Sequence, residues 1–139
     1  FRIREFDALT NMLSAEKGVL RRQQAAMPFR IVNVDWTGGF STFSPELLGH
    51  ETHLGRFIFG NVTTDAFEDM LKHPVFISAH REIEEGIQRC KTSCEYFNVC
   101  GGGSPSNKYF ETGAFNSTRT KACTSNINSV VDAYLKAAQ

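Results

Sequence analysis

The four cysteines of this sequence are spaced Cys90-x3-Cys94-x5-Cys100-x22-Cys123, and Gly101-Gly102-Gly103 follows the third directly. Three thiols close together and a distant fourth can close a tetrahedral sulfur site around one inorganic centre. Thiolates select zinc or iron–sulfur clusters over hard cations such as magnesium or calcium. A [4Fe–4S] cluster takes four cysteine thiolates, and ferredoxin-type runs draw the fourth from elsewhere in the chain. The triple glycine favours a cluster, because backbone without Cβ approaches closely and can point N–H groups at sulfur. A structural zinc site is the alternative, although zinc prefers paired Cys-x2-Cys knuckles and here the triplet is uneven. Disulfides fit poorly, since the cysteines are clustered and no secretion signal is visible.

Other polar residues near the thiols are weaker candidates. Ser104, Lys108 and Arg119 could donate hydrogen bonds to cluster sulfurs or to a substrate, but loop residues of these types are more often solvated. His50, His53, His73 and His80 share no spacing with the cysteines; His50 and His53 could pair on a metal, and a polar surface loop is the simpler account. Asp35 could be a catalytic carboxylate. In Val34-Asp35-Trp36-Thr37-Gly38, its expected work is hydrogen bonding to its own backbone.

The elements that must carry these residues can be read from periodicity. The spacing predicts an amphipathic helix over 2–16 and, over 17–28, a connector or a ragged second helix ending at Pro28. From Phe29 the period becomes two, with Phe29, Ile31 and Asn33 facing one way and Arg30, Val32 and Val34 the other. Asp35 to Gly39 supplies turn chemistry, and Phe40 to Phe43 returns, so a β-hairpin is expected. Ser44 to Gly49 reads as a short capped turn, and Arg56 to Phe59 as a second extended piece. A helix should start near Asp65, whose spacing to Glu68 fits a capping box, bury Phe67, Met70 and Leu71, and break at Pro74. Helical periodicity then resumes over 75–89 through Phe76, Ile77, Ile83 and Ile87 and delivers Cys90 at its end. Ser106 to Glu111 should be helical with Gly113 as the stop, and 118–138 a last helix with Cys123 in its first turns. Phe40, Phe43, Phe57, Phe59 and Phe97 are expected in the core. The fold class is therefore α+β: a small hairpin sheet followed by helices around a four-cysteine site.

A chain of 139 residues with 15 basic and 15 acidic side chains has no net charge, which gives no electrostatic case for nucleic acid or an anionic membrane. No apolar run approaches the ~20 residues that span a bilayer, and no signal peptide is visible. A cytoplasmic setting is expected. The sequence begins at Phe1 inside a helical pattern, which suggests a segment of a longer protein.

The block Cys90-Lys-Thr-Ser-Cys94-Glu-Tyr-Phe-Asn-Val-Cys100-Gly-Gly-Gly resembles the C-terminal auxiliary-cluster region, of SPASM or twitch type, of radical S-adenosylmethionine peptide maturases. Asn33-Val-Asp35-Trp-Thr-Gly-Gly is similar to the family's hairpin turn, and Leu54-Gly-Arg-Phe-Ile-Phe-Gly60-Asn61-Val62 to its glycine–asparagine segment. Pro105-Ser-Asn107-Lys108, Glu111-x-Gly113-x-Phe115 and the block Ser41 to Gly49 look like the branch that forms cyclophane cross-links in ribosomally made peptides. The resemblance covers about residues 29–125. It implies that 29–139 is an auxiliary iron–sulfur domain and that 1–28 is the end of a preceding catalytic barrel with its linker. It implies one [4Fe–4S] cluster held by Cys90, Cys94, Cys100 and Cys123, with Gly101, Gly102, Gly103 and Ser104 around it.

Family members with a second auxiliary cluster carry further cysteines where this sequence has Ser104, Ser41 and Ser44, so a single cluster is implied. The first gap is x3 where the family more often has x2. The radical-generating Cys-x3-Cys-x2-Cys motif is not in this sequence. The segment should thus be inactive by itself, with S-adenosylmethionine and the radical cluster held by the barrel of the full-length chain. The implied partners are that barrel and a precursor peptide, and the implied role is electron transfer with a share in the substrate channel. A non-redox zinc module for protein–protein contact is the competing function.

Overall fold

The structure is a computed structural model that describes Asp7, Thr10, Asn11 and residues 22–137. It is a small α+β protein with a three-stranded antiparallel sheet, a two-stranded ribbon and a set of helices. The sheet is formed by β1 (Val32–Val34), β2 (Gly39–Thr42) and β5 (Gly60–Asn61), in the order β1-β2-β5. The ribbon pairs β3 (Glu51–Thr52) with β4 (Gly55–Arg56). The helices are α1 (Pro74–Ser93), α2 (Phe97–Cys100), α3 (Pro105–Thr112), α4 (Lys121–Cys123) and α5 (Ser129–Ala137); a π turn, Thr124–Asn128, joins the last two. Of the expected helix over 2–16, Asp7, Thr10 and Asn11 are helical, and the rest lies outside the described residues.

The first hairpin forms as its turn chemistry requires. Val32 pairs with Thr42 and Val34 with Phe40. Asp35 Oδ1 accepts from the backbone N–H of Thr37 at 2.8 Å, from that of Gly39 at 3.0 Å and from the Thr37 hydroxyl at 2.6 Å. These bonds, the Thr37 hydroxyl foremost, hold its carboxyl below the ordinary carboxylate value. Asp35 is thus a turn residue. Along β1 the alternation puts Val32 and Val34 outward and turns Asn33 in, where its amide donates to the Ser41 hydroxyl and the Phe43 carbonyl.

Two expectations between 64 and 74 are corrected. Residues Phe67–Lys72 form a 3₁₀ helix that buries Met70 but leaves Phe67 and Leu71 exposed. Asp65 does not cap it; the carboxylate reaches back to accept from the N–H of Asn61 at 2.7 Å. The break at Pro74 is as expected: the 3₁₀ helix ends at Lys72, His73 is extended as a residue before proline tends to be, and Pro74 opens α1, where a missing N–H costs nothing.

One core runs from the sheet to the thiols. Phe40, Phe43, Leu47, Phe57, Phe59, Met70, Phe76, Ala79, Ile83, Ile87, Cys90, Phe97 and Phe115 form a single buried cluster. Phe43 stacks on Phe76 at 5.9 Å, Phe57 meets Phe59 edge-on at 4.7 Å, and Phe115 continues the contact to Tyr109 of α3 at 5.0 Å. Each buried phenylalanine contributes on the order of 1.5–3 kcal/mol. Ile77, expected in this core, is half exposed, since the face of α1 turned to the core takes Phe76, Ala79, Ile83, Gly86, Ile87 and Cys90.

Candidate metal centre

Each thiol is positioned by a different device. Cys90 lies in the last turn of α1, on the face that buries Ile83 and Ile87, and is itself 4 % exposed. Its Sγ sits 3.5 Å from the Thr118 carbonyl and 3.8 Å from that of Gly102. Cys94 is the C-cap of α1, with extended backbone and its N–H bonded to the Cys90 carbonyl. Cys100 ends the single turn of α2, whose N-terminal Phe97 is anchored in the core. Cys123 closes α4. Thr120, the N-cap, accepts from the Cys123 N–H at 3.0 Å and donates its hydroxyl to the Cys123 sulfur at 3.0 Å. Glu111 of α3 fixes the same helix start by accepting from the N–H groups of Lys121 and Ala122, the negative charge that a helix N-terminus favours.

The glycine arm runs between these thiols. Gly101, Gly102 and Gly103 all have positive φ, at +68°, +106° and +74°. Gly101 caps α2 in the left-handed conformation. The Gly102 N–H donates to Cys100 Sγ at 3.4 Å, a donor aimed at sulfur as the sequence led one to expect. A Cβ at position 102 would stand 3.0 Å from the Ile87 side chain, so the arm is pressed against α1. At 103 a Cβ would lie 3.9 Å from Cys123 Sγ.

The sequence left Lys108 among solvated candidates, and there the structure differs. Lys108 is 3 % exposed, and its ammonium donates to Cys90 Sγ at 3.7 Å. Helical spacing within α3 could have suggested this, because Lys108 shares the buried face with Pro105 and Ser106. Ser104 is engaged with hydroxyls, those of Ser44 and Ser106, each at 3.0 Å, and Arg119 is exposed. His53 pairs with Glu82 at 3.0 Å and His50 packs edge-on against Phe110.

Electrostatics couple the thiols. Burial is the main cause that raises the Cys90 thiol above its ordinary value; Lys108 opposes it, while Cys100 and Cys123 add to it. Burial likewise raises Cys100, the Gly102 N–H opposes it, and Cys123 and Cys94 add to it. All four thiols are therefore linked through Cys100 or Cys90, and all are free cysteines. A cavity of about 640 Å³ opens beside them, lined among others by Cys100, Gly103, Ser104, Lys108, Thr120 and Cys123. Among the described residues no three His, Cys, Asp or Glu side chains stand close enough to hold a metal ion. The donor set is nevertheless all cysteine, with hydrogen bonds to the Cys100 and Cys123 sulfurs and a cation beside that of Cys90. In donor type alone these residues match what an iron–sulfur group takes.

Over 138 residues the chain is 43 % identical to sll1766, an uncharacterized protein of Synechocystis sp.. The match takes in 99 % of this chain and 34 % of the relative, so the chain spans about a third of the relative's length. No family model matches the chain. No solved structure matches it. Among the described residues no helix is long and apolar enough to cross a membrane.

Proposed function

We propose that Cys90, Cys94, Cys100 and Cys123 bind one auxiliary [4Fe–4S] cluster, and that the chain is the electron-transfer and substrate-channel part of a radical S-adenosylmethionine enzyme that cross-links a ribosomally made peptide. The observation that carries this reading is the donor chemistry: four free cysteines held by separate devices, with a backbone N–H directed at the Cys100 sulfur and a buried ammonium at the Cys90 sulfur. The pattern of the cysteine block supplies the family. The relative's greater length supports it too, since about two thirds of that protein lies outside the match and gives room for a catalytic barrel.

When bound, such a cluster supplies one-electron acceptance: a peptide that has lost one hydrogen atom and closed its new bond gives up one electron and one proton. What this chain's residues contribute is positional. Glu111 and Thr120 hold the helix start that carries Cys123, the glycine arm brings its N–H to Cys100, and Phe97 seats α2. The cavity adds the amide side chains of Gln23, Gln24, Asn107 and Asn126, which can both donate to and accept from a peptide backbone. By joining α1, α2 and α4, bound metal would also contribute directly to folding free energy.

The test is to purify the chain without oxygen, reconstitute it with iron and sulfide, and measure metal and sulfide content with visible and paramagnetic resonance spectra. About four irons and four sulfides per chain, with a charge-transfer band, are expected. Stoichiometric zinc in a colourless protein that forms no cluster would make the site a structural module and remove the redox role.

A further inference from the structure

Lys108 presents a problem that the four-thiol site solves. An ammonium out of water costs several kcal/mol unless something anionic compensates it, and Lys108 is 97 % buried. Among the described residues, none of the ion pairs includes Lys108. Its path is built: position 86 is glycine in the middle of α1, and a Cβ there would stand 2.9 Å from Nζ and 2.7 Å from the Phe115 carbonyl. A Cβ at Gly103 would make ordinary contact with the stem, 3.8 Å from Cε. The side chain therefore passes over Gly86 and ends on Cys90 Sγ at 3.7 Å, lining the same cavity as Cys100 and Cys123.

We propose that Lys108 is the resident counter-charge of the sulfur-ligated centre and raises its electron affinity by holding a fixed positive charge against Cys90. The proposal rests on the cluster reading above. Four thiolates and four inorganic sulfides outweigh the iron charge in a [4Fe–4S] centre, and the reduced form carries one further electron. A cation nearby therefore stabilises the reduced form more than the oxidised form. Lysine suits this task because its compact charge sits on a flexible stem that can bury its methylenes.

The experiment compares Lys108→Met and Lys108→Arg with the parent chain. All three are reconstituted with iron and sulfide, counted for both, and titrated for midpoint potential by paramagnetic resonance. Lys108→Met is expected to load and to show at least a tenfold lower reduced-to-oxidised ratio at a fixed potential, a shift of about 59 mV to the negative for a one-electron couple. Lys108→Arg should stay near the parent. Should Lys108→Met fail to load while Lys108→Arg loads, the charge is needed for assembly and the proposal stands. An unchanged potential in fully loaded Lys108→Met would overturn it, and so would equal loss of loading in both variants, which would make the side chain a spacer. If the parent chain takes up no cluster at all, the failure lies with the reading under Proposed function, and this one falls with it.

Discussion

Replacing Gly102 by alanine should be costly for two separable reasons. Its φ of +106° lies outside the left-handed well, and a non-glycine residue held on that side costs about 1–2 kcal/mol. A Cβ there would also stand 3.0 Å from Ile87 Cγ1 and 3.4 Å from its Cα, so α1 or the arm must shift; overpacking of this kind costs about 1–3 kcal/mol. The sum is roughly 2–5 kcal/mol by those two principles. Gly113 is the control, because its φ is +78° and nothing lies within 4 Å of its Cβ position. Alanine at 113 should cost only the conformational part, about 1–2 kcal/mol. The loss of unfolded-chain entropy that alanine brings acts equally on both and cancels, so the difference reports the contact with Ile87 together with the less tolerated φ at 102. For a chain of this size 1 kcal/mol moves Tm by about 3 °C. Thermal melts by circular dichroism should then place Gly102→Ala roughly 3–9 °C below Gly113→Ala. Displacement of the arm should also pull the Gly102 N–H from Cys100 Sγ, so metal uptake should fall in the first variant and hold in the second. Equal melting temperatures and equal uptake would refute the claim that the arm is pressed on α1.

Cys100→Ala should abolish cluster loading, measured as iron and sulfide per chain; full loading would remove Cys100 from the ligand set. Glu111→Ala frees the two N–H groups at the start of α4 and should cost about 0.5–2 kcal/mol as lost caps do, with weaker loading because Cys123 rides on that helix; a chemical denaturation midpoint equal to the parent's would contradict it. Tyr96 donates to Asp132 at 2.8 Å, and this bond chiefly pushes the phenol from 10.0 up to about 12. The raised value means that the link contributes below pH 10.0 and is lost as pH climbs toward about 12. Asp132→Ala should return the phenol toward its ordinary range in an ultraviolet titration, and an unmoved value would show that the bond is not its cause.

The first hairpin was legible because Asp35, Gly38 and Gly39 dictate the turn locally, and period two put Val32 and Val34 on one face, although which face met solvent came only from the packing. The long helix was legible from Phe76, Ile83 and Ile87, and the stop at Gly113 from its residue type. What local pattern could not supply was the partner surface. Phe67 and Leu71 carry the spacing of a buried stripe, yet only Met70 finds the core, because the segment winds as a 3₁₀ helix that does not keep the 3.6-residue face. Asp65 has capping-box spacing, but the N–H of Asn61 competes for its carboxylate and wins. Lys108 was hidden for a different reason: a cation is assigned to solvent unless its partner is known, and that partner, Cys90, stands 18 residues away. The thiol pattern named candidate donors, and tertiary packing alone supplied Gly86, the position that admits the lysine.

The π turn over Thr124–Asn128 has a consequence for how the C-terminal segment can vary. One residue of α-helix turns about 100°, and a π turn absorbs one extra residue within an otherwise helical run. The angular phase of α4 is set by Thr120 and Glu111, which aim Cys123. That of α5 is set separately by buried Val131 and by Asp132 beneath Tyr96. The wide turn acts as a clutch between the two. Deleting one residue there, Asn126 for example, would remove the residue that the turn absorbs and let the helix run straight through, with Cys123, Val131 and Asp132 all close to their present aim. The join between the sulfur site and the terminal helix can thus lose one residue at the five-residue turn without disturbing either end.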